Sequence, residues 1–412
     1  MADILFIHQN FPGQFKHLAP ALASDPVHNV VALNITGMKS SEWRNIKVIR
    51  YPVTKASSED IHPWVLDFES KVIRGDACRK KAEELKKDGF YPDIVIAHPG
   101  WGESLFLKEI WPETKLGIYC EFFYHVKGAD VGFDPEFPGG TIEDACRLKI
   151  KNTNNILHME TADFAISPTK WQASTFPQRF RDKISVIHDG IDTEHIKPNS
   201  DASAVLNNKV KITKKDNIIT FVSRNLEPCR GYHIFMRSLP EILKNSPDAK
   251  ILIVGGANKG YGQQPPAGKT WKEIFFEEIK YKISGSDLKR IYFLGNLNYK
   301  NFINLLQLST VHVYLTYPFV LSWSLLEAMS AGCSIVASDT EPLREVIKNE
   351  YNGVLVDFFD IRALAGKVCE LLDNSEKRIK LGRNARNFVK ENYDLNTVCL
   401  PAQLEWVKNN IG

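Results

Sequence analysis

The chain has 412 residues, 43% hydrophobic and 25% charged, an ordinary globular composition with too much chain for one core, so two domains of roughly 150 to 200 residues are expected. Its 52 basic residues face 49 acidic ones for a net charge of +3, which supplies no general pull toward nucleic acid, so any anion site must be local. Seven cysteines without a CxxC pair argue against a metal knuckle or a disulfide framework and fit a reducing cytoplasm.

The N-terminus, MADILFIHQNF, has an apolar core of only Ile4 to Ile7 and reads as a first strand, not a signal peptide. No window approaches the roughly 18 apolar residues of a membrane span. Further short apolar runs follow at Val30 to Leu33, Ile94 to Ala97, Leu116 to Cys120, Phe164 to Ile166 and Ile184 to Ile187. Helix-like stretches, notably Gln14 to Ala23 and Glu69 to Lys87, lie between them, the pattern of a doubly wound parallel sheet. Ligands of such sheets collect beyond the carboxyl ends of the strands, so the polar residues after each run are the ones to read.

After the first run, Gly13 opens a helix with nothing on its Cα to obstruct a phosphate, and Gln14 and Phe15 follow as amide donors. After Ile94 to Ala97 come His98, Trp101, Gly102 and Glu103. After Leu116 to Cys120 come Glu121 and a long loop mixing Phe122, Phe123, Tyr124, Phe133 and Phe137 with Asp130, Asp134 and Glu136. Aromatic faces pack on sugar C–H surfaces while carboxylates accept from hydroxyls, so His98, Trp101, Tyr124 and Asp130 are candidate contacts to an acceptor carbohydrate. An ordered lid without a ligand fits the same loop. The turn Asp189-Gly190 closes a first domain over 1–198, and the polar, lysine-rich stretch 199–216 is the best linker.

The alternation resumes over 217–394 with Ile218 to Val222, Ile251 to Val254, Ile291 to Leu294, Val311 to Leu315, Ile335 to Ala337 and Val354 to Val356, and helices such as Tyr232 to Leu243 and Tyr299 to Leu308. Two similar α/β domains joined by a linker imply a cleft between them. The first of these runs leads into SRNLEPCRGYHIF, where Arg224 and Arg230 flank a turn and can bracket a diphosphate. Gly255 and Gly256 follow the second run, where backbone can approach a nucleotide; Asn296 and Leu297 follow the third. The fourth leads into YLTYPFVLSWSLLEAMSAG, Tyr314 to Gly332, a strand, a turn and a helix whose Leu325, Leu326, Ala328 and Met329 face a sheet. Ser322 or Ser324 caps that helix, free N–H groups and the helix dipole seat an anion at the turn, and Glu327 accepts from neutral hydroxyls one turn in. A last amphipathic helix spans Asn396 to Asn410.

These residues resemble glycosyltransferase family 4, whose donor signature has the form E-x-F-G-x-x-x-x-E-A-M-x-x-G. Aligned on Glu327-Ala328-Met329 and Gly332, the resemblance makes Glu327 the ribose binder and Ser322, Trp323 and Ser324 the diphosphate amides. The family's first glutamate falls on Phe319, so its contact with the donor sugar is absent or supplied from elsewhere. Arg224 and Arg230 are similar to the family's R-x-x-x-x-x-K-G element, with arginine replacing lysine, and Gly13 lies where relatives touch the donor diphosphate. Many relatives place a sugar-contacting histidine just after the strand that here precedes Glu121; with His125 four residues on, either can serve.

The resemblance implies a GT-B fold: two Rossmann-like parallel-sheet domains facing a cleft, acceptor on the first, nucleotide-sugar on the second, and a final helix crossing back over 395–412. It also implies retaining transfer of a hexose-type sugar from a UDP- or GDP-linked donor to a hydroxyl of a carbohydrate, lipid-linked or other acceptor, in cell-surface polysaccharide or glycoconjugate synthesis. Arg224 and Arg230 would stabilise the leaving diphosphate, Glu121 or His125 would orient the sugar, and no metal or other cofactor is expected. A hydrolysing sugar-nucleotide epimerase and a non-catalytic nucleotide-sugar-binding subunit are the alternatives. A cytoplasmic location is expected, and the basic helix end with Lys80, Lys81, Lys86 and Lys87 allows peripheral contact with the inner membrane face.

Overall fold

Most of the apolar runs become strands. In a computed structural model, which describes residues 2–207, 209–258 and 260–411, the first half forms β1 (Ala2–Ile7), β2 (His28–Asn34), β3 (Glu42–Trp43), β4 (Ile46–Arg50), β5 (Ile94–Ala97), β6 (Lys115–Tyr119), β7 (Phe164–Ser167) and β8 (Ile184–Val186). They join in one sheet of order β3-β4-β2-β1-β5-β6-β7-β8, parallel except for the short β3–β4 pair. The chain winds outward in both directions from adjacent β1 and β5, the reversal that leaves a crevice beyond the carboxyl edge of an open sheet. Strand β4 has no continuous apolar run: Ile46 and Val48 are buried while Lys47 between them is exposed, as on a half-buried strand near a sheet edge.

The helix expected over Gln14 to Ala23 divides into a 3₁₀ turn, Gly13–Phe15, and a helix, Leu18–Ala23. Restarting at Leu18 keeps Pro20 in the first turn, where its missing N–H costs nothing. The basic helix Leu66–Lys87 does not present a cationic patch at its Lys80 and Lys81: Lys80 pairs with Asp76 at 2.8 Å and Lys81 with Glu84, and Lys86 donates to the Ile110 carbonyl at 2.5 Å. Among the described residues no helix is long and apolar enough to cross a membrane.

This first compact unit runs from the N-terminus to Val126, resumes over Gly140–Gly190, and takes in the chain from Asn396 to the C-terminus. The terminal segment opens with a π-helical turn, Leu395–Cys399, and continues as the helix Leu400–Lys408. Its buried Trp406 and Val407 join the core of this unit, with the Trp406 ring 4.8 Å from that of Phe164.

The second unit comprises Lys127–Gly139 and Ile191–Leu395. The stretch 199–216 is not a loose connection. It folds into an antiparallel hairpin, β9 (Ser203–Leu206) and β10 (Val210–Thr213), whose Leu206 and Ile212 are buried in the core of this unit. Its lysines suggested a linker, yet on a two-stranded ribbon they alternate with the apolar residues that face inward. Six parallel strands follow: β11 (Ile218–Asn225), β12 (Lys250–Gly256), β13 (Ile291–Gly295), β14 (Val311–Tyr314), β15 (Ser334–Ser338) and β16 (Val354–Val356), in the order β13-β12-β11-β14-β15-β16. Here the winding reverses between β11 and β14.

The long loop read as an acceptor platform is redirected. Its residues 127–139 fold as part of the second unit, where Phe133 packs on Tyr317, Phe358 and Phe359, and Phe137 on His233 and Trp271. Asp134 Oδ2 accepts from the Tyr317 hydroxyl at 2.7 Å and lies 2.9 Å from His233 Nε2, while Glu136 takes both arms of the Arg237 fork. Asp130 goes with this segment, close enough to Cys229 to act on its thiol. Aromatic and acidic residues in a loop serve tertiary packing as well as they serve a sugar, and sequence order does not say which.

Candidate functional site

In the second unit the turn after β11 meets the turn after β14. Arg230 ends the 3₁₀ turn Pro228–Arg230, and its Nη1 donates to Thr316 Oγ1 at 3.1 Å and to the Val320 carbonyl at 3.2 Å, with the guanidinium carbon 5.5 Å from the centre of the Phe319 ring. A cation is thereby fixed at the point where the sheet reverses. Arg224, at the end of β11, is exposed; both arginines act electrostatically on the carboxyl of Glu227, which stands between them in sequence.

The predicted turn Ser322 to Ser324 is the start of the helix Trp323–Ser330. Ser322 caps it: Ser324 N–H donates to Ser322 Oγ, and Ser322 N–H donates to the Tyr314 hydroxyl at 3.2 Å. Two of the amides assigned to the diphosphate are therefore engaged within the turn, because a helix start without an anion satisfies its own donors. Trp323, half-buried, packs on the core of the unit.

Glu327 is buried one turn into this helix, and its Oε1 accepts from the Tyr299 hydroxyl at 2.8 Å. Asn296 and Leu297 lie just before Tyr299, Asn296 exposed and Leu297 resting on the core. The side chains of Asn225 and Asn296 close around Gly256, where a Cβ would come within 3.0 Å of Asn225 Oδ1 and 3.2 Å of Asn296 Nδ2. At Gly255 a Cβ would meet Leu226 at 2.8 Å. Sequence reasoning missed Thr316, Tyr299 and Asn225; their place at or shortly after strand ends was the available signal.

In the first unit another group gathers at the ends of β1, β5 and β6. His8 Nε2 lies 2.8 Å from Gln14 Oε1, and Gln14 Nε2 donates weakly to Glu121 Oε1 at 3.4 Å. His98 stacks on Tyr119 at 5.3 Å and stands 4.9 Å from Trp101 and 5.2 Å from His8, ring centre to ring centre. Burial holds His98 well below the usual histidine range, with His8 and His158 adding to the effect, so its 3.9 Å approach to Glu121 Oε2 is that of a neutral imidazole and not an ion pair. Burial also lowers His8 to about 4, against the hydrogen bond that its Nε2 donates to Gln14 Oε1. Gly13 has φ +48°, and a Cβ there would fall 2.2 Å from His8 Nε2, so only glycine lets the His8 ring lie flat against this turn. His8 was missed, although it directly follows the first strand.

Other assignments fall away from this group. Phe15 N–H donates to the Pro12 carbonyl and its ring is buried against Phe6. His125 Nε2 bonds the Thr175 carbonyl at 2.6 Å and its ring leans on Phe123, a local tie that leaves Glu121 as the polar group beside His98. Tyr124 exchanges backbone bonds with the Asn152 side chain and lies under Lys151 Nζ at 3.7 Å. Asp130, in the second unit, is not part of the His98 and Trp101 group.

Asp134, Glu136 and His233 bring ligand-type atoms within 4.8 Å of one another. Tyr317 and Arg237 already occupy their oxygens, however, so the group reads as a closed hydrogen-bonded cluster.

Two doubly wound parallel sheets, one bearing a tethered, half-buried arginine and a buried glutamate at its reversal point, define the GT-B class of α/β transferases. Residues 26–196 match the description "Glycosyl transferase family 4 group" and residues 204–388 match "Glycosyl transferases group 1". The chain belongs to the group 1 glycosyltransferases of GT-B fold and is a glycosyltransferase. It is 29% identical over 374 residues to an uncharacterized glycosyltransferase of Methanocaldococcus jannaschii, covering 89% of this chain and 86% of that protein. With a D-inositol 3-phosphate glycosyltransferase of Corynebacterium efficiens it shares 26% identity over 358 residues, 84% of this chain and 77% of the relative. Among solved structures, sucrose-phosphate synthase from Thermosynechococcus elongatus superimposes with a TM-score of 0.74 at 18% identity over 99% of both chains. Anabaena HepE, solved with UDP and glucose, gives 0.68 at 17% identity over 99% of this chain and 100% of its own.

Proposed function

We propose that the chain is a retaining hexosyltransferase that moves a sugar from a UDP- or GDP-linked donor to an acceptor hydroxyl without a metal ion. The observation that carries this reading is the fixed guanidinium of Arg230 on Thr316 and Val320, with Glu327 buried one turn into the adjoining helix. Arg230 and Arg224 receive the diphosphate, Glu327 accepts from the ribose hydroxyls, and the backbone at Gly255, Gly256, Asn296 and Leu297 lies along the nucleoside. HepE has been solved with UDP-glucose, which supports UDP as the first base to try.

Chemically, the difficult step is the growth of negative charge on the departing diphosphate as the sugar becomes oxocarbenium-like. The Arg230 guanidinium, already held by Thr316 and Val320, stabilises that charge without reorganising, usually the largest electrostatic contribution, and Arg224 adds a second positive charge. Retention follows the resembling family: the acceptor oxygen attacks the face that the diphosphate leaves, and the leaving phosphate oxygen takes the acceptor proton. In the first unit, neutral His98, Trp101 and the Gln14-held Glu121 offer an aromatic wall and a hydroxyl acceptor to the sugar substrate. Synthesis of a cell-surface polysaccharide or glycoconjugate from the cytoplasmic side is the setting this chemistry suits.

A thermal-shift screen of UDP-, GDP- and ADP-sugars, repeated on Arg230→Ala and Glu327→Ala, tests the reading. One donor class should raise the melting temperature of the wild type and fail to raise that of either variant. Equal shifts in all three proteins would sink the site assignment.

A further inference from the structure

Glu227 is a buried carboxyl in the turn after β11 of the second unit. It is 3% exposed, and among the described residues its Oε2 has no hydrogen-bond partner. The carboxyl accepts from the Tyr261 N–H, and the backbone of Gly260 lies directly over it: a Cβ at position 260 would fall 1.3 Å from Oε2, so no side chain but hydrogen fits there. Tyr261 in turn packs its ring 4.9 Å from Phe319, and Phe319 carries the Arg230 guanidinium at 5.5 Å. Burial raises the Glu227 carboxyl to about 7 even though Arg230 and Arg224 both favour its ionised form. A buried acceptor oxygen that two cations leave unsatisfied calls for a neutral O–H donor.

The donor reading fixes which end of the ligand arrives here, and the inference rests on that reading. Glu327 and Tyr299 mark the ribose end, Arg230 on Thr316 and Val320 marks the diphosphate, and the next surface beyond Arg230 is Phe319, Tyr261 and Glu227. A carboxylate repels phosphate, so the part of a nucleotide sugar that it can meet is the neutral pyranose. Phe319 brings no acceptor to this corner; Glu227 does, with two aromatic faces beside it for pyranose C–H surface. We propose that Glu227 accepts a hydrogen bond from a hydroxyl of the donor's sugar and thereby sets which sugar is transferred, the Gly260–Tyr261 segment shifting to admit it.

Calorimetric titration of the full chain with UDP and with UDP-glucose separates this from a loop-anchoring role. In the wild type the sugar should add affinity over UDP alone. In Glu227→Gln, UDP affinity should stay within about twofold while UDP-glucose affinity falls by about tenfold, the usual size of one lost hydrogen bond to a charged group. Gly260→Ala, whose methyl displaces the same oxygen, should show the same split, and covers the case in which Glu227→Gln does not fold. Equal loss of UDP and UDP-glucose in the variants, or no loss of either, would overturn the assignment to Glu227. Failure of the wild type to bind UDP, GDP or ADP at all would instead bring down the donor reading beneath it.

Discussion

Arg230 holds Thr316 across the reversal point of the second sheet: Nη1 to Oγ1 is 3.1 Å, and the same nitrogen reaches the Val320 carbonyl. One bond thus ties the turn after β11 to the turn after β14, and it points a charge at the place where the fold receives a ligand. A fixed cation is worth more to a developing anion than a mobile one, because no work remains to orient it.

Replacing Arg230 by alanine should lower kcat/KM by about a hundredfold to a thousandfold, the range for a preorganised charge-stabilising group. Thr316→Val keeps the cation and frees its orientation, so kcat should fall by less, about tenfold, with KM for the donor nearly unchanged. Steady-state kinetics on the donor screen's best sugar decides it; equal kinetics in Thr316→Val and wild type would mean that the tether does not matter.

The Tyr299 hydroxyl fixes Glu327 Oε1, leaving that carboxylate fewer orientations. Tyr299→Phe should weaken nucleotide binding by about threefold to tenfold, the value of one hydrogen bond of about 1 kcal/mol, without changing the fold. Isothermal titration with the nucleoside diphosphate measures it, and unchanged affinity would remove Tyr299 from the site.

At Gly13 a methyl would run into the His8 ring. Gly13→Ala should therefore cost about 1 to 3 kcal/mol of stability, the range for overpacking. It should also push His8 off Gln14 and so release Glu121, lowering kcat. Urea unfolding together with kinetics checks both; a variant as stable and as active as wild type would contradict the packing described.

Acidification should weaken the fold in two successive, partly overlapping windows. Burial holds His8 and His158 at about 4 and His188 and His312 at about 3, all below the 6.5 of the unfolded chain, so the unfolded state binds more protons and stability falls as pH drops through 6.5 toward those values. Asp134 behaves otherwise: burial pushes its carboxyl up, but the His233 and Tyr317 hydrogen bonds outweigh this and leave it below 3.8. Its contribution is fully present above 3.8 and is lost as pH falls through the lower folded value. Melting temperatures followed across pH should show both declines, and Asp134→Asn should lessen the second without changing the first. A curve flat from pH 6.5 down to about 4 would contradict the buried neutral histidines.

The two parallel sheets were legible in the chain, because short apolar runs such as Ile94 to Ala97 and Ile335 to Ala337 can bury both faces only between helices. The sequence also determined where chemistry gathers, since residues after strands β1, β5, β11 and β14 share one edge of each sheet whatever the loops do. Tertiary structure alone decided which side chains at those edges are available. His125 and Tyr124 read as site residues and are tied into local packing, while His8 stands among the site rings after β1 and Glu227 is buried after β11 with one oxygen lacking a hydrogen-bond partner among the described residues, and neither was singled out in the chain. The stretch 199–216 looked like a tether and is a core hairpin, since an isolated ribbon's inward residues show their purpose only against the sheet they cover. Burial and hydrogen-bond partnership depend on residues far apart in the chain, and that information has no local signature.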